Sequence, residues 1–174
     1  MGCDIHLRAE VRPGRPNTED TDELEAWLAD VTPGSIEGGS WEPAEPLTPN
    51  RYYRPNDPDN SEGQELDVDY SDRFYTGRDY ELFGMLSGVR DPTQPAWFKD
   101  SGFPDDASPH VTREYEDWGV DAHTPGHATL YDLLEHTWSA CPDFERSIAR
   151  LQELADERCG GNTDHVRFIW WFDN

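Results

Sequence analysis

Apolar and polar residues alternate strictly from Asp4 to Arg12, with Ile5, Leu7, Ala9 and Val11 on one face and Asp4, His6, Arg8, Glu10 and Arg12 on the other. A period of two predicts a β-strand buried on one side. The chain closes on a second alternation, in which Val166, Phe168, Trp170 and Phe172 share a face while Arg167, Ile169, Trp171 and Asp173 share the opposite one. Bulk on both faces predicts a central strand. Four stretches between the two carry a helical period instead. The first places Leu24, Trp27, Leu28 and Val31 on one stripe after Thr21 and before Pro33-Gly34. The second runs from about Asp79 to Val89 and buries Leu82, Phe83, Leu86 and Val89. The third, near Thr129 to Trp138, aligns Leu130, Leu133, Leu134 and Trp138 behind Thr129 as N-cap. The fourth starts near Pro142, aligns Phe144, Ile148, Leu151 and Ala155, and ends at Gly160-Gly161.

These elements predict an α+β domain: a small, mostly antiparallel sheet that includes the N- and C-terminal strands, about four helices packed on one face, and long irregular loops. A length of 174 residues is that of one ordinary domain, so residues 1–174 are read as a single domain. Residues 33–72 form an acidic, Pro/Gly-rich insertion in which Trp41 and Arg51-Tyr52-Tyr53-Arg54 supply at most one or two short strands. A second irregular stretch, from Asp91 to about Ala128, holds five prolines and His110, His123 and His127.

Charge narrows the function classes. The chain has 37 acidic and 14 basic residues, a formal net charge of -23, and Lys99 is its single lysine. Phosphate backbones and anionic lipid surfaces repel such a molecule, which excludes direct nucleic-acid binding and membrane-surface attachment. Acid excess together with lysine loss predicts a host cell of high internal salt, because at about 1 M salt the screening length falls to roughly 3 Å and self-repulsion largely disappears. The longest apolar run, Phe168 to Phe172, is far shorter than the ~20 residues of a membrane span. The N-terminus lacks the apolar region of a signal peptide, and Cys3, Cys141 and Cys159 are too scattered for a disulfide framework. A reducing, cytoplasmic location is expected.

Asp4 and His6, two apart on a strand, project from the same face, as acid/base work or metal binding requires. His123 and His127 flank Pro125-Gly126, which predicts a loop. With Asp121 and Cys3 these residues could assemble a divalent-metal site, although no Cys-x-x-Cys or His-Glu-x-x-His spacing supports one. Cys3 and His6 fall on opposite sides of the strand, which excludes a Cys-His nucleophilic pair. No Gly-rich phosphate loop, dinucleotide fingerprint or nucleophile elbow is present in the sequence.

Four landmarks occur in order: Met1-Gly2-Cys3-Asp4-Ile5-His6, the run from Arg78 to Arg90, Gly102-Phe103-Pro104-Asp105-Asp106-Ala107-Ser108, and Trp171-Phe172-Asp173-Asn174. This pattern resembles an uncharacterised family of small proteins encoded by tailed viruses and their prokaryotic hosts. The resemblance implies a viral or proviral origin and carries no activity. Its landmarks are rich in polar residues that a core does not demand. If the two end strands pair antiparallel, Asp4 and His6 meet Asp173 at one sheet end, and the loop bearing His123 covers them.

Asp4, His6, His123 and Asp173 are therefore the candidate catalytic residues, and Arg78, Arg90, Asp105 and Ser108 the candidate substrate-binding residues. Structural hydrogen bonding of loops is the competing explanation for the same set. The expected function is that of a non-virion accessory protein with a small-molecule or nucleotide pocket, able to support hydrolysis. The alternatives are a structural virion component and an acidic decoy that occupies a host DNA-binding or defence protein.

Overall fold

The structure, a computed structural model, describes residues 3–13, 21–22, 25, 40–51, 53 and 65–173. Among the described residues there are six strands, β1 (Ile5–Val11), β2 (Glu42–Pro43), β3 (Leu47–Pro49), β4 (Leu66–Val68), β5 (His123–Thr129) and β6 (Val166–Phe172). The helices are α1 (Tyr80–Ser87), α2 (Pro109–Trp118), α3 (Leu130–Leu134) and α4 (Pro142–Cys159). The main sheet has the order β2-β1-β6-β5 with every pairing antiparallel, and β3 and β4 form a separate two-stranded ribbon. The α+β architecture built on the two end strands is thus present. Ile5 lies opposite Phe172 and Val11 opposite Val166. The first predicted helix stripe, Leu24, Trp27, Leu28 and Val31, lies outside the described residues.

One face of β1 and β6, carrying Leu7, Ala9, Val11, Val166, Phe168, Trp170 and Phe172, packs on α1, α3 and α4. Phe83 of α1 meets Phe172 edge-on at 5.1 Å, and Phe144 of α4 meets Phe168 at 5.8 Å. Local chemistry sets the helix ends. Asp79 caps α1 through its side chain, and Gly88 closes that helix in the left-handed region at φ 72°. Thr129 and Asp132 form a capping box on α3, as the sequence predicts at its start. This helix stops at Leu134, yet Trp138 still reaches the core because its indole N–H donates to the Leu133 carbonyl at 2.8 Å.

Three expectations are corrected. Helices do not lie on one face alone, since α2 covers the opposite side of the sheet, where Val111 packs with Ile169 and Trp171. Its start signal, Ser108 as N-cap before Pro109, and the stripe of Val111, Tyr115 and Trp118 that packs on this face are both legible, although Val111 is its one fully buried apolar residue and the helix sits inside a Pro-rich stretch that reads as irregular. Consequently β1 is buried on both sides, with Arg8 and Glu10 almost wholly enclosed. The stretch with His123 and His127 is the edge strand β5 rather than a loop. An edge tolerates Pro125, a register shift lies between His123 and Gly126, and Thr124 takes φ 46°. Gly126 is needed there because a Cβ would stand 2.7 Å from the Trp170 indole.

The described part of the acidic insertion is tied into this frame. Strand β2 extends the main sheet, and buried Trp41 lies under the Arg167 guanidinium at 3.8 Å while its N–H donates to Asp106 at 2.9 Å.

Candidate ligand site at the joined chain ends

Pairing of β1 with β6 brings the two chain ends together. The Asp173 N–H donates to the Asp4 carbonyl at 3.1 Å, and the Asp4 N–H donates to Asp173 Oδ1 at 2.8 Å. Asp173 Oδ2 lies 3.2 Å from His6 Nε2. The imidazole is packed on Trp118 of α2 at 4.2 Å between ring centroids and stacked on Trp171 at 5.6 Å. Burial lowers the His6 pKa below its ordinary value, and Asp173 opposes that shift only in part. The ring is therefore neutral at neutral pH, with Nε2–H directed at Asp173 and the lone pair left on Nδ1. On the other side of Asp4, Arg78 Nε lies 2.8 Å from Asp4 Oδ1 and 3.2 Å from the Cys3 carbonyl.

A cavity of about 270 Å³ opens beside this cluster. Asp4, Ile5, His6, Leu7 and Arg8 line one wall, and the segment from Tyr70 to Arg78 supplies the other through Tyr70, Arg73, Tyr75, Thr76, Gly77 and Arg78. The Arg73 guanidinium lies 5.8 Å from the Tyr70 ring, and its Nε is buried with no hydrogen-bond acceptor among the described residues. Arg73, Tyr70 and Trp118 are absent from the expected site. The run Tyr70-Ser71-Asp72-Arg73-Phe74-Tyr75, in which aromatics flank an arginine, is the one signal that marks part of this wall in sequence.

The predicted residues divide. Asp4, His6, Asp173 and Arg78 come together. His123 does not join them: it lies opposite Phe172 whereas His6 lies opposite Trp171, so the two rings are on opposite faces of the sheet, and His123 stacks on Phe172 instead. Arg90 serves the other face as well. Burial raises the Cys3 thiol pKa, and the Arg90 side chain beside that thiol offsets the shift in part. Ser108 is buried as the N-cap of α2, and its N–H donates to Glu10 Oε1 at 2.7 Å. Asp105 is exposed. Among the described residues no group of three His, Cys, Asp or Glu side chains is arranged to hold a metal ion.

Beneath α2 runs a buried ionic network that spacing along the chain does not reveal. Arg8 pairs with Glu114 through two nitrogens, and Arg167 donates twice to Glu10 Oε2, at 2.9 and 2.7 Å, and to the Asp106 carboxylate at 2.7 Å and carbonyl at 3.3 Å. Glu45 is buried at the edge of β1, where both carboxylate oxygens lie 3.2 Å from the Ala9 nitrogen. Burial raises its pKa from 4.5 to about 7, against the lowering effect of Arg8. Between these two values the folded state holds more protons than the unfolded chain, so this residue's contribution to stability falls as pH rises through the window. Glu45→Gln, which keeps an acceptor for Ala9 N–H, should flatten the fall between about pH 4.5 and 7, worth up to about 3 kcal/mol. Urea unfolding of both proteins across that range measures it, and parallel profiles would contradict the assignment.

Comparison with protein-family models, with curated proteins and with solved structures finds no match for this chain. Among the described residues no helix is long and apolar enough to cross a membrane.

Proposed function

We propose that this chain is a non-virion accessory protein of a virus or provirus of a salt-loving host, and that it binds a small anionic molecule in the cavity at the joined chain ends. The observation that carries the reading is the meeting of His6, Asp173, Asp4 and Arg78 beside a cavity that also holds Arg73, in a molecule whose net charge is -23. Arg73 and Arg78, beside Arg8 in its pair with Glu114, create a local place for an anion at one cavity of so acidic a protein. Neutral His6, oriented by Asp173 and shielded by Trp118, holds an Nδ1 lone pair that can accept a proton from water, which fits hydrolysis of the bound molecule.

The test is NMR of the His6 and Arg78 side chains in multimolar potassium chloride during titration with AMP, inorganic phosphate and a short peptide acid. At least one of these anions is expected to shift both residues saturably, and Arg78→Gln should weaken binding by about tenfold or more. Inert His6 and Arg78 signals with every one of them would overturn the reading.

The proposed host supplies a separate prediction. Because repulsion among the carboxylates is screened only at high ionic strength, the melting temperature should rise steadily between low and multimolar chloride. A flat or falling dependence would count against a high-salt origin.

A further inference from the structure

The cavity has a wall made of strand backbone. Even-numbered residues of β1 face β6, since Asp4 O accepts from Asp173 N–H and Arg12 N–H donates to His165 O. The N–H and C=O groups of Ile5, Leu7 and Ala9 therefore point to the outer edge. At Ala9 that edge is occupied: its carbonyl accepts from Ala44 N–H at 2.9 Å, and its N–H meets the Glu45 carboxylate. Strand β2 pairs only with Glu10 and Val11, and the chain then departs into β3. Among the described residues no strand pairs with the outer edge of β1 at Ile5 or Leu7, where the Leu7 carbonyl accepts from Arg8 Nη1 at 3.1 Å, and the cavity lies along these positions. These two positions span about 7 Å of strand.

We propose that an extended segment of a partner polypeptide, ending in a free carboxylate, docks on this edge as an added antiparallel strand. It continues the line of β2, bonds to the backbone of Ile5 and to the Leu7 N–H, and brings its carboxylate to Arg78 at the N-terminal end of β1, with Arg73 on the wall of the same cavity. The polarity follows from β2: a strand antiparallel to β1 runs toward Ile5, so its C-terminus arrives where Arg78 stands. The chemistry has a precedent in the fold, because at Ala9 a carboxylate already accepts an edge N–H. Charge favours the same occupant, since Arg73 Nε on the cavity wall is buried without an acceptor among the described residues while Arg78, at the N-terminal end, shares one nitrogen between Asp4 and Cys3. The inference rests on the reading of the cavity as an anion site and names the ligand class.

Hydrogen exchange and amide NMR of the whole chain in potassium chloride test it, with acetyl-Val-Thr-Val as the free acid, its C-terminal amide, and an acid N-methylated at its central amide. The free acid should shift the Ile5 and Leu7 amides saturably, slow their exchange, and bind about tenfold or more tighter than either of the other two peptides. Arg78→Gln should erase the preference for acid over amide without moving the melting temperature. Ile5 and Leu7 signals that ignore the free acid, or equal binding of acid and amide, would overturn the proposal. Saturable binding of AMP with inert peptides would overturn it while leaving the anion site standing, and silence toward all of these ligands would remove both.

Discussion

Arg167→Ala should destabilise the fold by about 3–5 kcal/mol, because it strands a buried carboxylate. Glu10 is completely buried, and Arg167 supplies it with two charge-assisted hydrogen bonds. The same guanidinium holds Asp106 and lies on the Trp41 ring, so its removal also loosens the described start of the acidic insertion. Denaturant unfolding in matched potassium chloride measures the cost. A double replacement, Arg167→Met with Glu10→Leu, separates pairing from packing: removing both charges should recover most of the loss. A cost of less than about 1 kcal/mol for the single variant would show that Glu10 finds water or another partner.

Phe168→Ala should cost a similar amount, about 3–5 kcal/mol, through a cavity at the centre of the larger core. Phe168 is fully buried and packs against Phe74 and Phe144, each at 5.8 Å between ring centroids. The strand beneath it is held on both edges and cannot collapse into the gap. The same unfolding experiment applies, and a loss below about 1 kcal/mol would mean that this face of β6 is not the core.

The end strands are legible in the sequence because a period of two survives over Asp4 to Arg12 and Val166 to Phe172, and the juxtaposition of Asp4, His6 and Asp173 follows once they pair. Helices α1 and α4 are legible for the corresponding reason: Leu82, Phe83 and Leu86, and Phe144, Ile148, Leu151 and Ala155, recur at helical spacing and are buried. What remains hidden is held by charge across long separations. Arg8 and Glu10 sit on what reads as a solvated face, yet Glu114 and Arg167 neutralise them from more than a hundred positions away. Val111, Tyr115 and Trp118 of α2 cover that face, but the polar side of the β1 alternation contains no sign of them. His123 is misplaced because Pro125-Gly126 reads as a loop breaker, whereas a β-bulge on an edge strand accommodates both residues. Once His123 is on a strand, register alone sends its ring to the face away from His6.

The most direct measurement of whether the chain ends form a ligand site compares His6→Ala with the wild type in multimolar potassium chloride, following both thermal unfolding and the titrations with AMP, inorganic phosphate and peptide acid. The account predicts a nearly unchanged melting temperature, because Asp173 keeps its bond to the Asp4 N–H and His6 is partly open to solvent, together with loss of the anion binding seen in the wild type. The contradictory result is a loss of about 1–3 kcal/mol in stability with no anion bound by either protein, the behaviour of a histidine that serves only to join the two ends of the sheet.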